Sequence, residues 1–279
     1  IETSPAVLVA MAALVTVLGA IVFQLLRWFW FGPREIARRR SIRRQRRGYF
    51  ALTQGLVSAA AGDASGARRL ARRANLLLGE PPLTLLLSAQ AAQLEGEDEL
   101  AKVYFEAMLE RPETEFLGLR GLLVQAKKAG EKQKALSLAE RAFSLRPRTP
   151  WVLTTLLELQ TYSGKWSEAL STLHAAKRQK AVDKKTAVFR EAGLLLQQAR
   201  MVSNRGEGQE ALKLSEKASN ISTNFLPAIL FSVEQALMLG QIPRAERMIL
   251  RAWEHNPHPK LAQYFNEIHS DKDVHTRTK

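Results

Sequence analysis

Six glycines divide this chain at a nearly fixed interval. Gly62, Gly96, Gly130 and Gly164 follow one another every 34 residues, and Gly206 and Gly240 are again 34 apart. Each is followed five residues later by an alanine: Ala67, Ala101, Ala135, Ala169, Ala211 and Ala245. Thirty-four residues suffice for two short helices and a turn, a unit that buries its apolar faces only by stacking on neighbours. The glycine stands where the first helix ends and the chain must turn through left-handed backbone space. The alanine stands where the second helix crosses the first, and a larger side chain there would push the pair apart. Apolar or small residues recur nine and twelve places after the glycine, as Phe105 and Met108, Ala139 and Ala142, Leu173 and Ala176, and Ile249 and Ala252. Pro147 and Pro257 close second helices, because proline cannot continue one.

The pattern predicts an all-α fold, an N-terminal transmembrane helix followed by an α-solenoid of tetratricopeptide (TPR)-like helix–turn–helix repeats. Six repeats are expected over 48–81, 82–115, 116–149, 150–191, 192–225 and 226–259, with a capping helix and polar tail over 260–279. Between Gly164 and Gly206 the interval stretches to 42, and the eight extra residues fall around KRQKAVDKKTA, Lys177 to Ala187.

Residues 6–26, AVLVAMAALVTVLGAIVFQLL, carry no charge and only Gln24 as a strongly polar group. In a helix they reach about 30 Å, the thickness of a bilayer core. Trp28, Phe29, Trp30 and Phe31 follow at the place of interfacial anchors, so 1–31 is expected to span and leave the membrane. A cleaved signal peptide would have a shorter apolar core and its basic flank ahead of it. Here the arginines come after: residues 27–47 hold nine arginines and one glutamate, a large share of a formal net charge of +14. By the positive-inside rule they and the repeats behind them face the cytoplasm, and 32–47 becomes a juxtamembrane segment. Arg38, Arg39, Arg40, Arg43, Arg44, Arg46 and Arg47 are expected on anionic headgroups, each giving on the order of 1 kcal/mol. Arg68, Arg69, Arg72 and Arg73 are expected to extend that membrane-facing basic surface. The competing readings of the run are a nucleic-acid arm and a dock for an acidic partner; a position beside the bilayer favours the tether, and no nucleic acid is expected.

In a solenoid of this kind the first helices form the binding face. Counting back from each glycine places Leu86, Gln90 and Gln93 there in the second repeat. Arg120, Val124, Lys127 and Lys128 follow in the third, Trp151, Glu158 and Tyr162 in the fourth, and Leu196 and Arg200 in the fifth. Apolar walls around a basic centre suit an extended peptide or helix carrying carboxylates. The Lys/Asn/Arg set with which some such domains grip a C-terminal carboxylate is not found in register.

The residues give little catalytic chemistry. The chain has no cysteine, which excludes disulfides, thiolate metal sites and cysteine nucleophiles. GEGQEA, Gly206 to Ala211, matches the dinucleotide fingerprint, but both glycines fall in a repeat turn rather than after a strand. His255 and His258 in HNPHP are the one pair suited to a metal or haem iron, with no carboxylate or thiol at metal-site spacing beside them. No enzyme and no metal site are expected.

The chain resembles the HemY family of bacterial inner-membrane TPR proteins, in its alphaproteobacterial form. The resemblance rests on RRRSIRRQRRGYFALTQGLVSAAAGD after the apolar run, then LLLSAQAAQLEGE, YFEAMLERPETEFLGLRGLLVQAKKAG, ALSLAERAFSLRPRTPWVL and SGKWSEAL. It implies a cytoplasmic helical domain carried by a two-helix membrane hairpin, of which this sequence would hold the second helix, and an association with haem (tetrapyrrole) biosynthesis. The expected function is a membrane-anchored adaptor organising tetrapyrrole-pathway enzymes at the inner membrane. Its rivals are a haem- or porphyrin-binding carrier, with groove cations on propionates and His255 or His258 on iron, and a general envelope-assembly factor.

Overall fold

Every one of the six turn glycines sits in the left-handed region, with φ between 68 and 84°. The alanine five residues on is at most 1% exposed in each case, which is why no larger residue stands there. The computed structural model describes the backbone of residues 5–79, 82–222 and 224–269, and their side chains apart from 5–8, 10 and 25–37. Among the described residues the chain is helical, with no strand.

The helices are α1 (Pro5–Ala60), α2 (Ala64–Leu78), α3 (Pro82–Leu94), α4 (Asp98–Met108), α5 (Pro112–Lys128), α6 (Lys132–Leu145) and α7 (Pro150–Tyr162). Then come α8 (Trp166–Arg178), α9 (Lys184–Ser203), α10 (Gly208–Ile221), α11 (Leu226–Met238), α12 (Ile242–His255) and α13 (Pro259–Ile268). Turn glycines separate α1 from α2, α3 from α4, α5 from α6, α7 from α8, α9 from α10, and α11 from α12. The polar tail expected after α13 lies outside the described residues.

The eight extra residues of the long interval go to one place. The helix α9 begins 22 residues before its turn glycine, whereas α3, α7 and α11 begin 14 before theirs. Asp183 starts it, its side chain accepting from the Thr186 N–H at 2.9 Å. The added turns present Phe189, which meets Phe225 edge-on at 5.2 Å, and Glu191, which lies 3.1 Å from His174.

The chain divides into two compact units, 1–118 and 119–279, with the division inside α5. In the first, Ala51 and Leu52 of α1, Ala67, Ala71 and Ala74 of α2, and Leu87 and Ala91 of α3 form a core. Small residues let α2 lie close on α1: a Cβ at Gly48 would come within 2.5 Å of the Leu78 side chain, and one at Gly55 within 3.2 Å of Leu70 Cβ. In the second unit a core of Leu123, Ala126, Ala135, Leu136, Ala139, Leu156 and Leu159 joins α5, α6 and α7. A further core, with Leu212, Val233, Ala245, Ile249 and Leu261, ties α10 through α13.

Residues 32–47 belong to the one helix α1, which runs on through the apolar segment into the first unit. Among the described residues no helix is long and apolar enough to cross a membrane. The side chains described within the expected span are Val9 and 11–24; the rest of that span lies outside them.

Candidate functional site

In the second unit the helices that precede the turn glycines present one line of side chains, and most of these pair across to the next helix. Arg120 of α5 stacks on the Trp151 ring of α7, its guanidinium carbon 5.5 Å from the ring centre. Two turns further along both helices, Lys127 donates to Glu158 Oε2 at 2.8 Å. Lys132, at the start of α6, sits 5.6 Å over the Tyr162 ring. On α9, Arg200 lies 5.9 Å over Phe231 of α11. At the far end Tyr264 of α13 is half-buried; burial first, then the charges of Glu234 and Glu267, hold its hydroxyl above its ordinary pKa.

This arrangement changes the chemistry expected of the face. Arg120 and Arg200 spread their charge over aromatic rings, where a desolvated contact is worth up to about 2 kcal/mol and an exposed one nearer 0.5 to 1. Lys127 has a carboxylate beside it. The face is a row of cation–aromatic and cation–carboxylate pairs rather than a bare basic channel. Large apolar groups are exposed in the same unit, Val124 at 55%, Met238 at 71% and Tyr162, the ring under Lys132, at 71%. Lys128 is exposed in the last turn of α5. Leu196 does not belong to the face: it is 3% exposed and packs in the core. It lies ten residues before its turn glycine, the same place at which α5 carries the exposed Arg120. Phe231 and Glu234 were missed because they become visible only through what crosses from the neighbouring helix. At the position that holds Trp151 on α7, α9 carries Gly193, beside which a Cβ would meet nothing within 4 Å, so the row has an open notch there.

The remaining expected face residues, Leu86, Gln90 and Gln93, are half-buried on α3 in the other unit. There too lie the arginines. Arg38, Arg39, Arg40, Arg43, Arg44, Arg46 and Arg47 are exposed along α1, and Arg44 reaches over to donate to the Leu76 carbonyl near the end of α2. Arg68 forms an ion pair with Glu95 and another with Glu97 at 3.0 Å. The Glu97 and Glu95 hydrogen bonds, in that order, stabilise its charged form.

His258 begins α13 by accepting the Lys260 N–H on Nδ1 at 3.2 Å, and His255 Nδ1 lies 3.1 Å from the Arg251 carbonyl. Both therefore have local backbone partners. Among the described residues no group of three or more histidine, cysteine or carboxylate side chains gathers as a metal site would.

Residues 1–96 match the family model described as HemY protein N-terminus. A search of curated proteins finds no match to the sequence. Among solved structures, the chain is similar to one in "Structure of Naa15/Naa10 bound to HypK-THB", at 17% identity and a TM-score of 0.50. That alignment covers 81% of this chain and 34% of the other, so the chain spans about a third of that protein's length. A tetratricopeptide repeat protein from Parabacteroides merdae ATCC 43184 aligns at 14% identity and a TM-score of 0.44, covering 83% of this chain and 89% of that one. PilF of Pseudomonas aeruginosa aligns at 15% identity and 0.43, covering 80% and 99%. These likenesses concern the fold alone.

Proposed function

We propose that this chain, a HemY protein N-terminus over its first 96 residues with helical repeats beyond, is a non-catalytic, membrane-anchored adaptor. The second unit docks an extended protein segment, and α1 holds the chain at the inner membrane with the repeats on the cytoplasmic side. The observation that carries the docking role is the row of cross-helix pairs, Arg120 with Trp151, Lys127 with Glu158 and Arg200 with Phe231, beside exposed Val124, Tyr162 and Met238. A row that alternates aromatic, cation and acid reads a peptide by its side chains rather than by net charge alone. Arginine and aromatic residues are those most often found to carry binding energy at interfaces.

The anchoring role rests on α1. Val9, Met11, Leu14, Val15, Val17, Leu18, Ile21, Val22 and Phe23 are all 49% or more exposed, on every side of the helix. A helix apolar all round needs an apolar surrounding, and a bilayer supplies one. The arginines that follow orient it. The resemblance to HemY suggests enzymes of tetrapyrrole biosynthesis as the docked partners.

The test is photo-crosslinking in cells from positions 120 and 162, followed by identification of the attached proteins. Tetrapyrrole enzymes among them, lost when Arg120 and Lys127 are reversed to glutamate, are the expected result. Envelope-assembly proteins instead would overturn the pathway, and an unchanged set in the reversed variant would overturn the face.

A further inference from the structure

We propose that the arginine cleft on α2 binds a phosphate group, taken from a soluble phosphorylated ligand. Arg68, Arg69, Arg72 and Arg73 lie with Ser65, Leu76 and Glu95 around an open cleft of about 430 Å³. Arg68 has its charge met there by Glu95 and Glu97. Arg69 lies near Asp63, whose carboxylate is held below its ordinary pKa chiefly by the Gly66 N–H, then by the Ser65 hydroxyl, with Arg69 a lesser cause. Arg72 and Arg73 have no carboxylate within ion-pair distance among the described residues. Like charges at i, i+3 and i, i+4 destabilise a helix, and Arg68 with Arg72, Arg69 with Arg73, and Arg69 with Arg72 are three such pairs. Their repulsion falls when a compact anion sits between them.

The geometry favours phosphate over carboxylate. The three exposed guanidinium groups start within five consecutive residues of α2 and line one cleft, so one compact ligand can be reached by all three. A phosphate monoester offers three terminal oxygens and close to two negative charges, whereas a carboxylate offers two oxygens and one charge. The exposed Leu76 side chain closes the cleft with an apolar wall for the organic part of the ligand.

The source of the phosphate follows from α1. Arg44 donates to the Leu76 carbonyl, Gly48 packs on Leu77 and Leu78, and Gly55 on Leu70, so the cleft lies beside the stretch of α1 from Arg44 onward. That stretch begins 18 residues after Leu26, about 27 Å along a continuous helix. A headgroup layer is only on the order of 5 to 8 Å thick. The cleft therefore stands clear of the lipid surface; this step rests on the membrane anchor proposed above, whereas the phosphate site does not. It also replaces the expectation that Arg68, Arg69, Arg72 and Arg73 lie on the membrane.

The test is calorimetric titration of inorganic phosphate into the full chain, in buffer with detergent and in nanodiscs of phosphatidylcholine or phosphatidylglycerol. Saturable binding is expected, weakened at least about 10-fold in Arg72→Gln/Arg73→Gln and less in Arg72→Lys/Arg73→Lys, since charge-assisted bonds are lost in the first and only the forks in the second. Binding in phosphatidylglycerol discs should equal that in phosphatidylcholine. Absent binding, or equal binding in the glutamine variant, overturns the site. Binding that disappears in phosphatidylglycerol discs shows headgroups filling the cleft and overturns the soluble source. A chain that stays out of the discs removes the membrane anchor alone, and the titration in detergent still decides the cleft.

Discussion

Two glycines inside helices should respond to the same substitution in opposite directions. Alanine is favoured over glycine in a helix interior by about 0.8 to 1 kcal/mol, and both Gly118 in α5 and Gly193 in α9 offer that gain. At Gly193 a Cβ meets nothing within 4 Å, so Gly193→Ala should keep nearly all of it. At Gly118 a Cβ would come 2.7 Å from the Phe105 carbonyl oxygen, 3.0 Å from Met108 Cβ and 3.1 Å from Leu109. A carbon and a carbonyl oxygen normally stay about 3.3 Å apart or more. The nearest atom is backbone, so α5 must move off α4 by roughly half an ångström, and overpacking of this kind costs about 1 to 3 kcal/mol. Gly118→Ala should therefore lose up to about 2 kcal/mol net, and Gly193→Ala gain up to about 1. Urea denaturation followed by circular dichroism measures both, the first midpoint falling and the second rising. If Gly118→Ala stabilises as much as Gly193→Ala, the close approach of α4 and α5 is wrong. The second site also separates folding from docking: Gly193→Trp places a large side chain at the open position of α9 and should weaken crosslinking from position 162 without lowering the denaturation midpoint.

Lys127→Ala should alter stability by less than about 1 kcal/mol, since its pair with Glu158 is 37% and 46% exposed; a double-mutant cycle with Glu158→Ala gives the coupling, and a large fall in partner capture beside that small value assigns the residue to binding. Gln160 is 6% exposed and its Oε1 has no hydrogen-bond partner, so Gln160→Met should raise stability by about 1 kcal/mol in the same denaturation assay. Asp63 begins α2 by accepting the Gly66 N–H at 2.9 Å, and its pKa is lowered from 3.8. Its contribution is complete above pH 3.8 and is lost as the pH falls through the lower folded value, so Asp63→Ala and the parent should differ in melting temperature at neutral pH and converge in strong acid.

What the sequence made legible is what depends on one helix and its turn. A glycine that must adopt positive φ and an alanine that must fit under a crossing helix are constraints within a few residues, so they repeat visibly and the structure keeps them at every turn. The eight inserted residues were legible as an insertion, but not their destination. KRQKAVDKKTA holds no strong breaker, and only the Asp183 cap fixes where α9 starts. The face was half legible. Counting from the glycine found Arg120, Lys127, Trp151 and Glu158 as separate residues, but their pairings span 31 positions and depend on the reach of side chains across a helix–helix gap. Leu196 failed for the same reason, because its burial at 3% exposure is set by the neighbouring helices, which the glycine interval does not record. The arginines show the consequence most clearly. In sequence, the runs of α1 and α2 look like one basic patch next to a membrane span. In the fold, α2 doubles back along a stretch of α1 that begins about 27 Å from the end of the apolar run. The two sets are then separate features: the first is exposed along α1, and the second lines a cleft on α2.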